Sequence, residues 1–345
     1  MNTERKIVSI KDIAEISGVS VATVSRVLND KGKCSEATRR RVLAIAEQYG
    51  YVSNMAAKSL RQAKSKTIGL ILPNITNAFF SMIAYSVERY LFHRQYSLFV
   101  CNSGNNADNE REYFRALIGR GVDGILCISD LNELPHEVLD RNIPIVAIDR
   151  HPKVKRAIPW VGNNDKQASY DATELLIRKG CRHIAFISGY FAEYNHTTRQ
   201  AGYQQALSAN GIPFDRNLII ERSGKDPTHI EVEVLVYECI KQGHPIDGIV
   251  ASSEPAGIGA LFAVKNAGLS VPEDIKLICF DNSPISVLTS PALSSIERNP
   301  DMIAAKSCEL LLDLINGNEP EQTSIIVPTS LLDRASSSAC TLSFQ

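Results

Sequence analysis

The sequence predicts two architectures in one chain: an all-α headpiece of three short helices, then an α/β body of two doubly wound parallel-sheet lobes. Three observations carry that reading. Residues 10–29, IKDIAEISGVSVATVSRVLN, place apolar side chains at spacings of three and four on either side of a glycine turn. After Lys66 the pattern changes to short β-rich runs (TIGLIL, YSLFVC, GILCIS, PIVAI, RHIAFIS, GIVASS, KLICF) separated by helical stretches, the alternation of parallel sheets covered on both faces. Charge divides at the same place. Met1 to Lys66 holds 13 Lys and Arg against 6 Asp and Glu, a charge of +7, while the other 24 basic and 32 acidic residues set the remainder at −8. A near-neutral chain thus carries a basic head on an acidic body, the asymmetry of a protein that meets a polyanion at one end.

In the head, Ser9 is expected to cap a first helix whose apolar stripe is Ile10, Ile13, Ala14 and Ile16, and Gly18 to stop it. Val19 is expected to plug the turn and Ser20 to cap a second helix with Val24, Val27 and Leu28 facing inward. Val21, Ala22, Ser25 and Arg26 then point outward, the surface that the second helix of a helix-turn-helix presents to base edges. A third helix, capped by Ser35, is expected to turn Val42, Leu43, Ile45, Ala46 and Tyr49 inward before Gly50. Arg39, Arg40 and Arg41 read as a solvated face.

From Thr67 the body runs for 279 residues, more than one compact α/β unit needs, so two lobes are expected. Ligands of such sheets sit at the carboxyl ends of strands. Residues after the apolar runs are therefore the candidates: Asn77, Phe79 and Phe80, then Asp149 and Arg150, Ser253 and Asp281, with Asn195 and Arg199 on a later helix. Aromatic faces over C–H surfaces and charged groups on hydroxyls suit a polyol; stacking of Phe79 and Phe80 on a purine is the alternative. Singly, each also has an ordinary role as core phenylalanine, loop ion pair or turn cap.

Enzyme signatures are wanting. GIGALF at 257–262 lacks the third glycine of a dinucleotide fingerprint, no GxxxxGK[ST] or HExxH occurs, and His183 and His196 have neither nucleophile nor orienting carboxylate near them in sequence. The eight cysteines form no CxxC, and Cys101, Cys127 and Cys279 lie in apolar strands, as reduced thiols do. No catalytic residue, metal site or cofactor is expected. Without an apolar leader or a run near the roughly 20 residues of a membrane span, a cytoplasmic protein is expected. No internal sequence repeat appears, and the SSSACTLSFQ tail is expected to be disordered.

VSVATVSRVLN, SEATRRRVLAIAEQYGY and NMAAKSLR together resemble the head of the lactose-repressor family of bacterial transcription regulators. The resemblance implies that Val21, Ala22 and Arg26 face operator bases, where an arginine suits the paired acceptors of guanine, and that Ser20, Thr23 and Ser25 contact the backbone. Asn29 joins the expected DNA contacts. Asn54 to Arg61 resembles the family's hinge helix, which implies that two copies pair, with Ala57 at their close approach, Lys58 and Arg61 toward phosphate and Leu60 wedged into the minor groove. A basic linker is the plainer reading of that segment. Many members place proline before the hinge asparagine; this chain has Ser53.

The body resembles the two-lobed periplasmic sugar-binding fold, and Asn77, Phe79, Phe80, Asp149 and Arg150 are similar to residues of ribose-binding proteins. Related binders carry AsnAsp where this chain has Ser253 and Glu254 followed by Pro255, so the resemblance does not extend to ribose specificity. The implied organisation is a DNA-binding head at 1–50, hinge and linker at 51–66, an effector-binding and dimerisation body at 67–335 and a tail at 336–345. The implied function is a homodimeric repressor of a carbohydrate-utilisation operon, bound to a pseudo-palindromic double-stranded DNA operator and controlled by a small sugar. A purine-responsive regulator on the same scaffold is one alternative. A cytosolic sugar-binding module without regulatory DNA binding is the other.

Overall fold

A computed structural model of the 345-residue chain describes residues 8–28, 34–51, 64–129, 134–150, 158–188, 194–222 and 229–338. The chain divides into two compact units, Met1–Ser65 and Lys66–Gln345.

The first unit contains helices α1 (Ile10–Ser17), α2 (Val21–Leu28) and α3 (Glu36–Gln48). Ser9 begins α1 with a capping box, its side chain accepting from the Asp12 N–H while the Asp12 carboxylate accepts from the Ser9 N–H. Ile13, Ala14, Val24, Val27 and Val42 form the core, with Ile10, Val19, Leu28, Ile45 and Tyr51 packed around it. Three residues expected inside lie outside: Ile16, Leu43 and Tyr49 are each 45% exposed. The inward face of α1 passes through Ser17 instead of Ile16, and Ser17 tolerates burial by donating its hydroxyl to the Ile13 carbonyl. Leu43 stands one residue, a rotation of roughly 100°, beyond the inward Val42. At the end of α3, Gly50 (φ 60°) turns the chain so that the Tyr51 N–H reaches the Ala46 carbonyl at 2.8 Å. That Schellman turn folds Tyr51 onto the core in place of Tyr49, and Gly18 does the same for Val19 at the end of α1.

The second unit follows one winding twice. In the first lobe β1 (Thr67–Leu72), β2 (Ser97–Asn102), β3 (Gly124–Cys127), β4 (Ile145–Ile148) and β5 (Trp160–Asn163) stand in the order β2-β1-β3-β4-β5. In the second, β6 (Ile184–Ile187), β7 (Ile219–Ile220), β8 (Gly248–Ala251), β9 (Lys276–Phe280) and β10 (Ser294–Glu297) stand as β7-β6-β8-β9-β10. The repeat absent from the sequence is present as topology. Helices α4 (Ala78–Phe92), α5 (Ala107–Gly119) and α6 (His136–Asp140) connect the first four strands in turn. Asn164 caps α7 (Asp165–Arg178), which leads into the second lobe, followed by α8 (Tyr194–Ala209), α9 (His229–Lys241), α10 (Glu254–Asn266) and α11 (Pro284–Leu288).

The chain then returns. Helix α12 (Pro300–Ile315) packs Ile303, Ala304, Cys308, Leu310 and Leu311 into the core of the first lobe, and β11 (Ser324–Val327) adds in parallel to β5. Finally β12 (Ser330–Leu332) joins β10 as the antiparallel strand of the second sheet. The chain passes between lobes three times: after β5, after β10 and after β11.

Disorder expected from residue 336 does not hold for its first three residues. Ser336 and Ser337 are fully buried: Ser336 accepts from the Ser294 N–H (2.7 Å) and donates to the Leu277 carbonyl (2.6 Å), and the Ser337 and Ser294 hydroxyls lie 2.6 Å apart. Residues 339–345 lie outside the described residues. Burial pushes the Cys181 thiol up to about 11 and that of Cys308 up to about 12, so both pack as apolar groups.

Candidate functional site

In the head, burial of Val24 and Val27 leaves Val21, Ala22 and Arg26 exposed on α2 and Ser25 half-buried. The Ser20 and Thr23 hydroxyls lie 2.9 Å apart, and the Thr23 N–H donates to Ser20 Oγ at 3.2 Å, so these two residues first serve as the cap of α2. Asn29 and the expected hinge contacts Asn54, Ala57, Lys58, Leu60 and Arg61 lie outside the described residues.

In the body, eight of the nine expected effector residues have described side chains in or beside the carboxyl ends of strands or on the helices that follow them. Asp149 follows β4 and Asp281 follows β9, both buried and both with left-handed backbone (φ 64° and 90°). Such backbone is uncommon for any residue but glycine, asparagine and aspartate. Arg150 is buried beside Asp149, its guanidinium 5.8 Å from the ring of the half-buried Phe80. Arg199, on α8, pairs with Asp165 at 3.2 Å, donates to the Ser252 carbonyl and lies 4.1 Å over the Phe280 ring.

Two expected ligands are engaged locally. Asn77 caps α4, its amide oxygen accepting from the Phe79 N–H at 2.9 Å, and Ser253 caps α10, accepting from the Ala256 N–H at 3.4 Å. Asn195 falls on α8, and its side chain lies outside the described set. Phe79 departs from its expected role as a stacking face. It is 2% exposed within the first lobe's core, and its ring is covered by a guanidinium 3.9 Å from the centroid.

That guanidinium belongs to Arg298, which sequence reasoning missed. Arg298 follows β10, is 2% exposed, and donates to Asp149 of the first lobe and, at 3.2 Å, to Asp281 of the second. Its Nε donates to the Asn163 side chain at 3.1 Å and lies 3.8 Å from Asp165. Burial works against the charge, but the carboxylates of Asp149, Asp165 and Asp281 outweigh it and hold the guanidinium protonated beyond its ordinary range. Asp165, Asn163 and Glu254 were missed as well. Glu254 is buried at the start of α10, accepts from Ser283 and Ser286, and offers its N–H to Asp281 at 3.4 Å.

The arrangement is one of recognition. Acidic and guanidinium groups from both lobes converge, and Arg199 Nε and the Ser252 hydroxyl are buried without a hydrogen-bond partner. Elsewhere, His183 stands half-exposed before β6, 3.6 Å from Asp247 and at the opposite end of the sheet from these groups. In the GIGALF segment, a Cβ at Gly259 would approach the His229 carbonyl to 2.3 Å, so that glycine serves the contact between α9 and α10. Among the described residues no helix is long and apolar enough to cross a membrane.

Comparison with known proteins agrees with this geometry. Residues 9–54 match the bacterial regulatory proteins of the lacI family, and residues 173–337 match the periplasmic binding protein-like domain. The chain is 32% identical to the HTH-type transcriptional repressor PurR of Vibrio parahaemolyticus over 91% of its own length and 94% of the other's. It is also 32% identical to the ribose operon repressor of Halalkalibacterium halodurans, over 94% and 96%. In fold it is similar to the lac repressor dimer bound to operator and the anti-inducer ONPF, with a TM-score of 0.85 at 23% identity, over 97% of this chain and all of that one. With a helix-turn-helix head, a two-lobed body and relatives of this identity over nearly their whole lengths, the chain belongs to the lacI family of bacterial regulatory proteins and is a transcription regulator.

Proposed function

We propose that this regulator represses a carbohydrate-utilisation operon, with a small sugar or sugar derivative held between its lobes and operator DNA held by two heads. The observation that carries the sugar reading is the convergence of Asp149, Arg150, Arg199 and Asp281 at the strand ends of both lobes. Buried polar atoms such as Arg199 Nε and Ser252 Oγ cost free energy until a ligand with several hydroxyls meets them. Stacking on a purine would fall to the half-buried Phe80 alone, because Arg298 covers the ring of Phe79. Similarity to a ribose operon repressor supports the carbohydrate class.

In the head, Val21, Ala22 and Arg26 would read bases, Ser20, Thr23 and Ser25 would meet phosphate, and Asn29 with the hinge residues Asn54, Ala57, Lys58, Leu60 and Arg61 would complete the contact. A homodimer on a pseudo-palindromic operator fits the exposed apolar side chains of the body: Phe92 on α4, Phe99 and Val100 on the edge strand β2, and Leu288, 80% exposed, on α11. Effector and operator would then be linked reciprocally, each altering the affinity for the other. Free cysteines throughout the described residues suit the reducing cytoplasm, and the role needs no catalysis.

The test is calorimetric titration of the full chain with pentoses, hexoses, disaccharides and purines, followed by operator binding on promoter fragments with each hit. A sugar that shifts operator affinity supports the proposal; a purine that does so, with every sugar silent, overturns the carbohydrate assignment. Asp281→Ala should abolish the effector response while DNA binding by the head persists.

A further inference from the structure

The candidate ligands of the cleft each belong to one lobe, but Arg298 belongs to a passage between them. It stands where the chain leaves β10 for α12, and its guanidinium meets Asp149 on one side and Asp281 on the other. Asn163 stands at another passage, at the end of β5. Its Nδ2 donates to the Arg298 carbonyl at 3.1 Å and to the Val327 carbonyl at 2.9 Å, and its Oδ1 accepts from Arg298 Nε at 3.1 Å. Val327 ends β11, where the last passage begins. One carboxamide therefore joins all three crossovers, and one guanidinium joins the two lobes through it.

We propose that Arg298, seated by Asn163, is an interlobe tie that sets the spacing of the two lobes, and hence a positioning residue for the effector site. The link to effector rests on the cleft reading above; the tie itself does not. Arginine suits the position because its planar fork donates in several directions at once and keeps its charge when buried. A lysine ammonium is a point donor and cannot span Asp149, Asp281 and Asn163 together. Each carboxylate retains further lone pairs, so an effector hydroxyl can share Asp149 and Asp281 with Arg298. The tie then biases the same lobe arrangement that the effector needs, and its strength enters the apparent affinity as a population of the competent state.

Hydrogen-exchange mass spectrometry on the full chain tests this with neither DNA nor effector present. A failure of the tie then leaves the regulatory reading standing, and a failure of operator binding leaves the tie standing. Arg298→Gln should speed exchange roughly tenfold in peptides spanning residues 160–167, 294–302 and 324–332, a loss of about 1.4 kcal/mol of local opening free energy. Peptides of α9 and α10, inside one lobe, should not change. Trp160, the single tryptophan, donates its indole N–H to the Asp149 carbonyl at 3.2 Å, so its emission should shift to the red in the same variant. Asp281→Asn cuts one end of the bridge and should give the same pattern more weakly. In those three peptides the double variant should be no worse than Arg298→Gln alone, because the Arg298–Asp281 contact is already lost there, whereas the separate bond from the Glu254 N–H to Asp281 bears on the start of α10. Uniform acceleration across the body, or none, in folded Arg298→Gln overturns the proposal. If that variant does not fold, Asp281→Asn decides by the same criterion.

Discussion

Arg26 stands exposed on α2 and contributes nothing to the core formed by Val24 and Val27, so its loss separates base reading from folding. If Arg26 reads a base as proposed, Arg26→Ala should weaken binding to a specific operator by about 1–3 kcal/mol and reduce discrimination at one base pair. Gel-shift titration against specific and scrambled duplexes checks this, and a helical signal unchanged in circular dichroism shows that α2 persists. Periodicity made the outward position of Arg26 legible, because the inward positions of a short helix fix its outward ones, while its base-reading role is what the family resemblance implies. Asp149, Arg150 and Asp281 were legible for a related reason: each follows a run apolar enough to read as a strand. Arg298 follows SSIE, which does not read that way, and so the residue with contacts across both lobes escaped notice.

The reason lies in β10 as an element. Ser294 and Ser295 are fully buried, and a strand can bury hydroxyls only if something satisfies them. Arg334, Ser336 and Ser337 do so: Arg334 donates to the Leu293 carbonyl and Ser295, and the serines pair with Ser294. The strand and the segment that completes it are some forty residues apart, beyond the reach of any local pattern. Truncation after Arg334 should therefore strand the Ser294 N–H and the Leu277 carbonyl, each costing about 1–3 kcal/mol when buried unpaired. Urea unfolding followed by far-ultraviolet circular dichroism should show a lower midpoint for the truncated chain; an unchanged midpoint would mean that water replaces these partners freely. Helix boundaries were more legible, since Ser9 and Ser35 cap α1 and α3 from within a few residues. The inward assignment of Tyr49 failed because the Schellman turn at Gly50 returns the next aromatic, Tyr51, to the core.

For the whole molecule, charge is the governing property. A head at +7 and a body at −8 confine attraction for a polyanion to one end, whatever the net charge of −1. Operator affinity should then fall steeply with salt, by roughly a thousandfold or more between 50 and 200 mM if two heads together neutralise six or more phosphates. Fluorescence anisotropy across that range gives the slope, and a nearly flat dependence would be incompatible with a phosphate-driven encounter. The α/β class was legible at this scale from strand and helix alternation, but the doubled winding was not. The two lobes share strand order while their sequences show no repeat, because topology is kept by apolar runs that any Val, Ile or Leu can supply.

Neither lobe is a continuous stretch of chain. The first sheet takes β11 from beyond the second lobe, and the second sheet takes β12 after the return. Cleaving the chain at its first passage, after β5, therefore yields no self-sufficient half: one fragment lacks α12 and β11, and the other carries them as an apolar orphan. A gene divided there would encode two pieces that regain structure only by reassembling with each other, which makes the body a natural scaffold for split-protein complementation.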